Sequence, residues 1–279
     1  MHLTAGKQTI ALDRPVVMGV LNVTTDSFSD GGQFLSTEQA ILRAEKMIDE
    51  GAGIVDVGGE STRPGSTEVP LQEELDRVLP VVEKIAARFD TPVSIDTSKP
   101  EVMLAAFAAG AAMINDVYAL QQDGALEAAA STDAAGCLMH MQGTPSTMQQ
   151  NPQYELLVDE ISAFLSARLE ACQSAGIAPD RLLIDPGFGF GKTDCHNLEL
   201  LARLDQFTDL GMPMLVGLSR KRTLRHLAGR SAGELAATGV AAAVMAIKKG
   251  ARVVRTHDVA ITVAALKLVT AVREAGTKR

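Results

Sequence analysis

The sequence predicts an α/β fold, a (β/α)8 TIM barrel, and three observations carry that reading. The chain has 279 residues, a length at which α/β barrels run as one domain. Eight short, β-branched runs recur along it, each bounded by turn residues, as strands covered on both faces should be. After each run comes a polar, Gly-rich turn and a longer segment of helical period. A doubly wound sheet would open with a G-x-G-x-x-G first turn; here that turn reads Thr24-Thr25-Asp26-Ser27-Phe28-Ser29-Asp30-Gly31-Gly32.

The residues from His2 to Leu12 alternate around Gly6-Lys7, so residues 1–14 are expected to form a hairpin that plugs the lower end of the barrel. The expected strands are Val16–Val23, Ile54–Gly58, Pro92–Asp96, Met113–Val117, Cys137–Met141, Leu182–Asp185, Met214–Leu218 and Arg252–Thr256. Between them helices are expected over Ser36–Glu50, opened by a Ser-x-x-Gln capping box, and over Leu71–Phe89 and Glu101–Ala109. Further helices are expected over Leu126–Ala135, Tyr154–Ala175, Asn197–Phe207, Ala232–Lys248 and Val259–Glu274. No linker, repeat or low-complexity segment interrupts this order. The chain therefore reads as a single domain over residues 1–279, with a frayed tail at 276–279.

Composition narrows the partners. Net charge is −8, so no global basic field holds nucleic acid or an anionic membrane, and an anion must be captured locally. The longest nearly apolar run, Val240–Ile247, stops at Lys248 and is far too short to span a bilayer. The first fourteen residues carry no secretory signal pattern. Cys137, Cys172 and Cys195 are odd in number and widely spaced, which fits a reducing, cytoplasmic setting.

Polar residues gather where the strands end, the face that carries active sites in this fold: Asn22, Glu60 to Arg63, Asp96, Asn115, His140, Asp185, Ser219 to Lys221, Arg255 and His257. Any one of them also reads as loop chemistry or a helix cap. That reading weakens for Asn115, Asp185 and Arg255, which sit in or beside apolar runs, where an unpartnered polar group is costly. Asp96, Asn115 and Asp185 supply acceptors suited to a flat heterocycle with adjacent N–H and amino donors, guanine-like or pterin-like. Lys221, Arg255 and His257 supply the opposite character, with Ser219 expected at a helix N-cap, as for a phosphate site after the last two strands. Arg220, Arg222 and Arg225 read as a solvated basic helix start. The turn Pro186-Gly187-Phe188-Gly189-Phe190-Gly191-Lys192-Thr193 ends like a P-loop, but Pro stands where Gly is required. Its glycines serve either the turn alone or a close approach to ligand, with Phe188 or Phe190 as an apolar wall. The segments 24–32 and 61–67 read as lids over the mouth. No His or Cys set forms a metal cluster; a Mg2+ ion bridging phosphates needs only one or two oxygen ligands, and Asn22 is the best-placed one.

Several stretches together resemble the bacterial dihydropteroate synthases over essentially the whole chain. They are Met18–Gly32, Asp56–Gly65, Ser94–Pro100, Ile114–Asp116, Met139–Gly143, Asp185–Lys192, Gly217–Lys221 and Arg255–Asp258, in family order. The resemblance implies a transferase of folate biosynthesis. Such an enzyme condenses (7,8-dihydropterin-6-yl)methyl diphosphate with 4-aminobenzoate to dihydropteroate and diphosphate. It implies that Asp96, Asn115, Asp185 and Lys221 hold the pterin, with Arg255 bracing it and Met139 and Phe190 as walls; strand alternation then turns His140 out of the pocket. Asn22, Thr62, Arg63, Arg255, Thr256 and His257 would serve the diphosphate, with Asn22 toward Mg2+. Phe28, Thr62, Pro64, Phe190, Ser219 and Lys221 would shape the aminobenzoate site, and Asp96, Asp185, Lys221 and Arg255 would carry catalysis.

The same resemblance implies a homodimer, with the last two helices as candidate interface, and sensitivity to sulfonamides. One departure stands out: Thr25 occupies the place where the family commonly has Pro in the first lid, which frees φ and adds a backbone donor. A methyltetrahydrofolate:corrinoid methyltransferase shares the Asp/Asn set but has no need of Ser-Thr-Arg-Pro-Gly or of Ser-Arg-Lys with Arg-x-His. A catalytically silent pterin-binding paralogue would bind pterin without turnover.

Overall fold

The computed structural model describes residues 1–23, 32–61, 68–228 and 231–277. Strands β1 (His2–Ala5) and β2 (Gln8–Ala11) form an antiparallel hairpin turned at Gly6, whose φ of +58° suits glycine. Eight parallel strands follow: β3 (Val16–Asn22), β4 (Ile54–Gly58), β5 (Val93–Asp96), β6 (Met113–Asp116), β7 (Ala135–Met139), β8 (Leu182–Asp185), β9 (Leu215–Gly217) and β10 (Val253–Thr256). Their order in the sheet is β8-β7-β6-β5-β4-β3-β10-β9, and the Ile184–Met214 bridge joins the two outer strands to close the barrel. The helices are α1 (Gly32–Asp49), α2 (Leu71–Arg88), α3 (Pro100–Ala108), α4 (Ala125–Ala130), α5 (Leu157–Ser174), α6 (Asp194–Ala202), α7 (Arg222–Ala228), α8 (Ala232–Lys248) and α9 (Val259–Thr277).

The barrel interior follows the two-residue strand period. Its lower layer is apolar: Met18, Ile54, Met113, Cys137, Leu183, Leu215 and Val253 pack with Leu3, Ala5, Ile10 and Leu12 of the hairpin. The hairpin thus closes this end, and Gly6 N–H bonds to Asp133 O at 2.8 Å to hold it there. Two residues further along the same strands the interior positions become Asp56, Asn115, Asp185 and Arg255. The fold therefore rests on its lower layer and on the shell between strands and helices, which leaves the upper layer free for chemistry.

Several boundaries differ from expectation. Ser36 lies inside α1, whose backbone is helical from Gly32, rather than at its cap. Helix α4 stops at Ala130, short of Ala135, because Ser131 and Thr132 donate their hydroxyls back to Ala128 O (2.8 Å) and Ala129 O (2.9 Å). Ala135 then starts β7 in register with Met113. Helix α5 starts at Leu157 rather than Tyr154, because Glu160 accepts the N–H groups of Glu155 and Leu156, both at 2.8 Å. Helix α6 starts earlier than expected, at a Thr193–His196 capping box, and a 3-10 stretch over Leu204–Leu210 replaces its expected end. Helix α7, expected only as a basic helix start after Ser219, begins at Arg222 and is separate from α8. Gly276 remains helical in α9, so the expected tail is shorter, and residues 278–279 lie outside the described residues.

Candidate active site

Burying three carboxylates near one another at the top of a barrel requires a cation, and β10 supplies it. Arg255 donates from Nε to Asp56 and from Nη2 to Asp96, each at 2.6 Å. Asn115 donates to the same Asp56 oxygen at 3.2 Å. The other oxygen, Asp56 Oδ1, is buried and takes no hydrogen bond, as is the hydroxyl of neighbouring Ser94. Such orphaned acceptors are what a ligand with N–H donors would satisfy. Asp185, on the opposite wall, accepts the N–H of Gly187 at 2.8 Å.

Electrostatics follow from burial. Loss of water pushes the Asp96 carboxyl up to about 7, with Arg255 opposing and Asp56 adding to the rise. Burial likewise lifts Asp185 to about 6, against the Gly187 N–H and Lys221. Lys221 is drawn down to about 8 by burial and by Arg255, with the aspartates opposing. Arg255 gains the reverse balance: burial works against its charge, yet Asp56 and Asp96 raise it above an ordinary arginine.

The cavity over this layer has a volume of about 730 Å3. Asn22, Asp96, Phe190, Ser219, Lys221, Arg255 and His257 all line it. Asn115, Asp185 and Met139 lie in the strand layer beneath, Met139 packing with Phe190, Val117 and Met148. Phe190 and Lys221 meet, with the ammonium 3.9 Å from the ring centre. Phe188, its neighbour by two, is buried in the core instead, so of these two phenylalanines only Phe190 lines the cavity.

Two expected roles change. Ser219 is not a helix cap: α7 starts three residues later, and the Ser219 hydroxyl instead accepts the backbone N–H of His257 at 3.3 Å and meets its Nδ1 at 3.2 Å. Thr256 faces away from the mouth, its hydroxyl accepting from Asp258 N–H (3.1 Å) and Thr262 (3.4 Å), as strand alternation beside Arg255 requires. Arg220 is exposed, as expected of a solvated helix start, and makes a two-pronged contact with Asp258 (2.6 and 3.3 Å). His140 does turn from the pocket, its Nδ1 2.9 Å from the ammonium of Lys192. Thr25, Phe28, Thr62, Arg63 and Pro64 lie outside the described residues.

Three groups were missed in the sequence. Asp56 carried the right signal, a carboxylate inside the apolar run Ile54–Gly58. Lys192 is fully buried and held by His140 and by Phe190 O (3.0 Å); burial draws it down to about 7, with Asp185 opposing. Lys99 ties Glu60, beside the mouth, to buried Glu74 at 2.5 and 2.6 Å.

Comparison with known proteins agrees with this geometry. A family model described as pterin binding enzyme matches residues 18–257. The dihydropteroate synthase of Escherichia coli (strain K12) is 50% identical over 271 residues, 97% of this chain and 96% of that protein. The crystal structure of the Yersinia pestis dihydropteroate synthase with a sulfonamide drug complex superposes with a TM-score of 0.93 at 51% identity, covering 98% of this chain and 100% of that one. The Xanthomonas albilineans dihydropteroate synthase in complex with 7,8-dihydropteroate gives 0.89 at 47% identity, over 98% and 99%. The chain belongs to the family of pterin-binding enzymes, within its dihydropteroate synthases.

Proposed function

We propose that this chain condenses (7,8-dihydropterin-6-yl)methyl diphosphate with 4-aminobenzoate, releasing diphosphate and forming 7,8-dihydropteroate. The observation that carries the reading is the Asp56–Arg255–Asp96 bridge with its unsatisfied Asp56 Oδ1, a buried acceptor surface matched to the donor edge of a pterin. In this reading Asp96, Asn115 and Asp185 accept from or donate to that edge, Lys221 contacts the ring, and Met139 and Phe190 enclose its faces. Arg255 and His257, with Asn22, Thr62 and Arg63, face the diphosphate; Phe28, Pro64 and Ser219 shape the aminobenzoate site. Thr256 contributes no side-chain contact, given its orientation.

Among the described residues no set of three His, Cys, Asp or Glu forms a metal centre. The donor chemistry nonetheless fits Mg2+ carried on a diphosphate: Asn22 offers one amide oxygen in the cavity that Arg255 and His257 line, and such an ion needs little more from protein. When bound, Mg2+ would neutralise charge on the leaving diphosphate. The chain's own residues do the rest. Arg255 and His257 place positive charge where the departing diphosphate becomes more negative. Asp96 and Asp185 favour the delocalised methylene cation left on the pterin. The arylamine then attacks a formed electrophile, so no strong general base is required.

We also read residues 1–279 as one domain, the setting as cytoplasmic, and the assembly as a homodimer. Three unpaired cysteines support the reducing compartment. No helix among the described residues is long and apolar enough to cross a membrane. Exposed Met245 on α8 with Ile261, Leu268 and Val272 on α9 support pairing through the last two helices.

Diphosphate release from the dihydropterin diphosphate, measured with and without 4-aminobenzoate and Mg2+, tests the reaction. Mg2+-dependent release with dihydropteroate formed on adding the arylamine is expected; tight pterin binding without release under any condition would overturn it.

A further inference from the structure

One side chain ties the loop after β8 to the first turn of α7, and nothing in the reaction above uses it. Asn197 sits in the first turn of α6 and is 5% exposed. Its Oδ1 accepts the N–H of Gly189 at 2.7 Å, and its Nδ2 donates to Thr193 O at 2.8 Å and to Thr223 Oγ1 at 3.1 Å. Thr223 in turn donates to Asp194 Oδ1 at 2.7 Å. Gly189 directly precedes Phe190, and Thr223 follows Lys221 by two residues. Both ends of this amide therefore sit next to the two groups that meet at 3.9 Å in the cavity wall. The strand ladder beneath does little to fix that spacing, because β8 and β9 share only the Ile184–Met214 bridge among the described residues.

We propose that Asn197 is a positioning residue that sets the distance between Phe190 and Lys221, and through it the shape of the pterin-facing wall. This rests on assigning those two residues to the pterin site. The chemistry calls for a carboxamide: one end must accept from a backbone N–H while the other donates to a carbonyl and to a hydroxyl already committed as a donor to Asp194. Aspartate supplies no donor and would set a second negative charge near Asp194. Leucine has the size and neither function.

The test compares Asn197→Ala, Asn197→Asp, Thr223→Val and Thr223→Ser for kcat and KM toward the dihydropterin diphosphate, with thermal unfolding alongside. Displacing a group by a fraction of an ångström to an ångström lowers kcat/KM by about 10- to 100-fold in both Asn197 variants. Thr223→Val falls in the same direction by less, and Thr223→Ser, which keeps the hydroxyl, restores parent values. The decisive measurement repeats Asn197→Ala in a Phe190→Leu background, where the ring to be positioned is gone. The further loss there is expected to be under about threefold, a non-additivity that general loosening of the fold does not produce.

Equal loss in both backgrounds, or Asn197→Ala within twofold of the parent, would overturn the positioning role. Should Asn197→Ala not fold, the Thr223→Val and Thr223→Ser pair decides by the same criterion. If Phe190→Leu and Lys221→Ala leave pterin affinity unchanged, the site assignment itself is wrong, a result separable from failure of the Asn197 role alone.

Discussion

The ammonium of Lys221 stands over the face of Phe190, 3.9 Å from the ring centre, and no carboxylate among the described residues is in salt-bridge contact with it. A ring quadrupole attracts a desolvated cation with roughly 2 kcal/mol, far less than water supplied, so the lysine is left with a weakened hold on its proton. Asp96 across the cavity and Asp185 on the neighbouring strand β8 have the opposite tendency, burial favouring their protonated forms. The site thus carries groups of both signs that change charge near neutrality.

The pH profile of kcat/KM should therefore be bell-shaped. The rising limb, between about 6 and 7, reports ionisation of Asp185 and Asp96, the carboxylates proposed to accept from the pterin edge. The falling limb, near 8, reports loss of the Lys221 charge. Lys221→Arg keeps a cation at all accessible pH, so its lower rate should stay flat through pH 9. Rate measurements in constant-ionic-strength buffers decide this, and a falling limb that survives in Lys221→Arg would refute the assignment.

Removing Arg255 leaves Asp56 and Asp96 buried without their counter-charge. Arg255→Ala is expected to destabilise by about 3–5 kcal/mol near pH 8. The Asp96 carboxyl, already raised by burial, would lose the opposing guanidinium and rise further above its value in the unfolded chain. A raised carboxyl binds its proton more tightly when folded, so stability falls as pH climbs from the unfolded value through the folded one. The variant should therefore be closest to the parent near pH 5, which urea unfolding at the two pH values measures.

Lys192 has the converse linkage. Its folded pKa is drawn down toward 7, so the unfolded chain binds more protons between that value and the ordinary lysine range. Its unfavourable contribution is complete below about 7 and fades as pH rises to about 10.4. Lys192→Met should compare best with the parent at pH 6 and steadily worse toward pH 10 in thermal unfolding. A pH-independent difference would show that burial of this ammonium carries no charge penalty.

Glycine at 187 is a requirement of space as well as of φ. A Cβ there would fall 1.8 Å from His140 O, at a φ of +73°. Gly187→Ala must move one of two loops and is expected to lower stability by about 2–4 kcal/mol and kcat/KM at least tenfold. Gly176→Ala, at φ +92° but in open space, serves as the comparison and should lose stability alone.

An aminobenzoate-mimicking sulfonamide should inhibit competitively against 4-aminobenzoate. A normal turnover rate at saturating sulfonamide would count against the expected fit of Phe28 and Pro64.

How far the sequence exposed this site depended on what each residue interrupts. Asn115, Asp185 and Arg255 break apolar strand runs, and their cost in such a setting betrays them. Asp56 breaks the run Ile-Val-Asp-Val-Gly in the same way and was legible by that rule. Lys192 was hidden because it ends a glycine turn, where a lysine looks solvated; in the fold it is buried against His140, Tyr154 and Phe190 O. Ser219 was misread from local pattern, since a helix cap and a loop residue after a strand look alike in one dimension. The barrel itself needed only its eightfold recurrence. Its helix ends were less legible where Ser131, Thr132 and Glu160 compete for backbone groups.

The closure of the barrel at Ile184–Met214 has a mechanical consequence. A hoop held at one clasp opens there first, and this clasp lies under the wall that Phe190 and Lys221 make together. The other neighbouring strands share three to five register pairs, so they resist widening more strongly. By strand pairing alone, the β8–β9 seam is the least tied join of the barrel, and the rim with Asp56 and Asp96 is among its better tied parts.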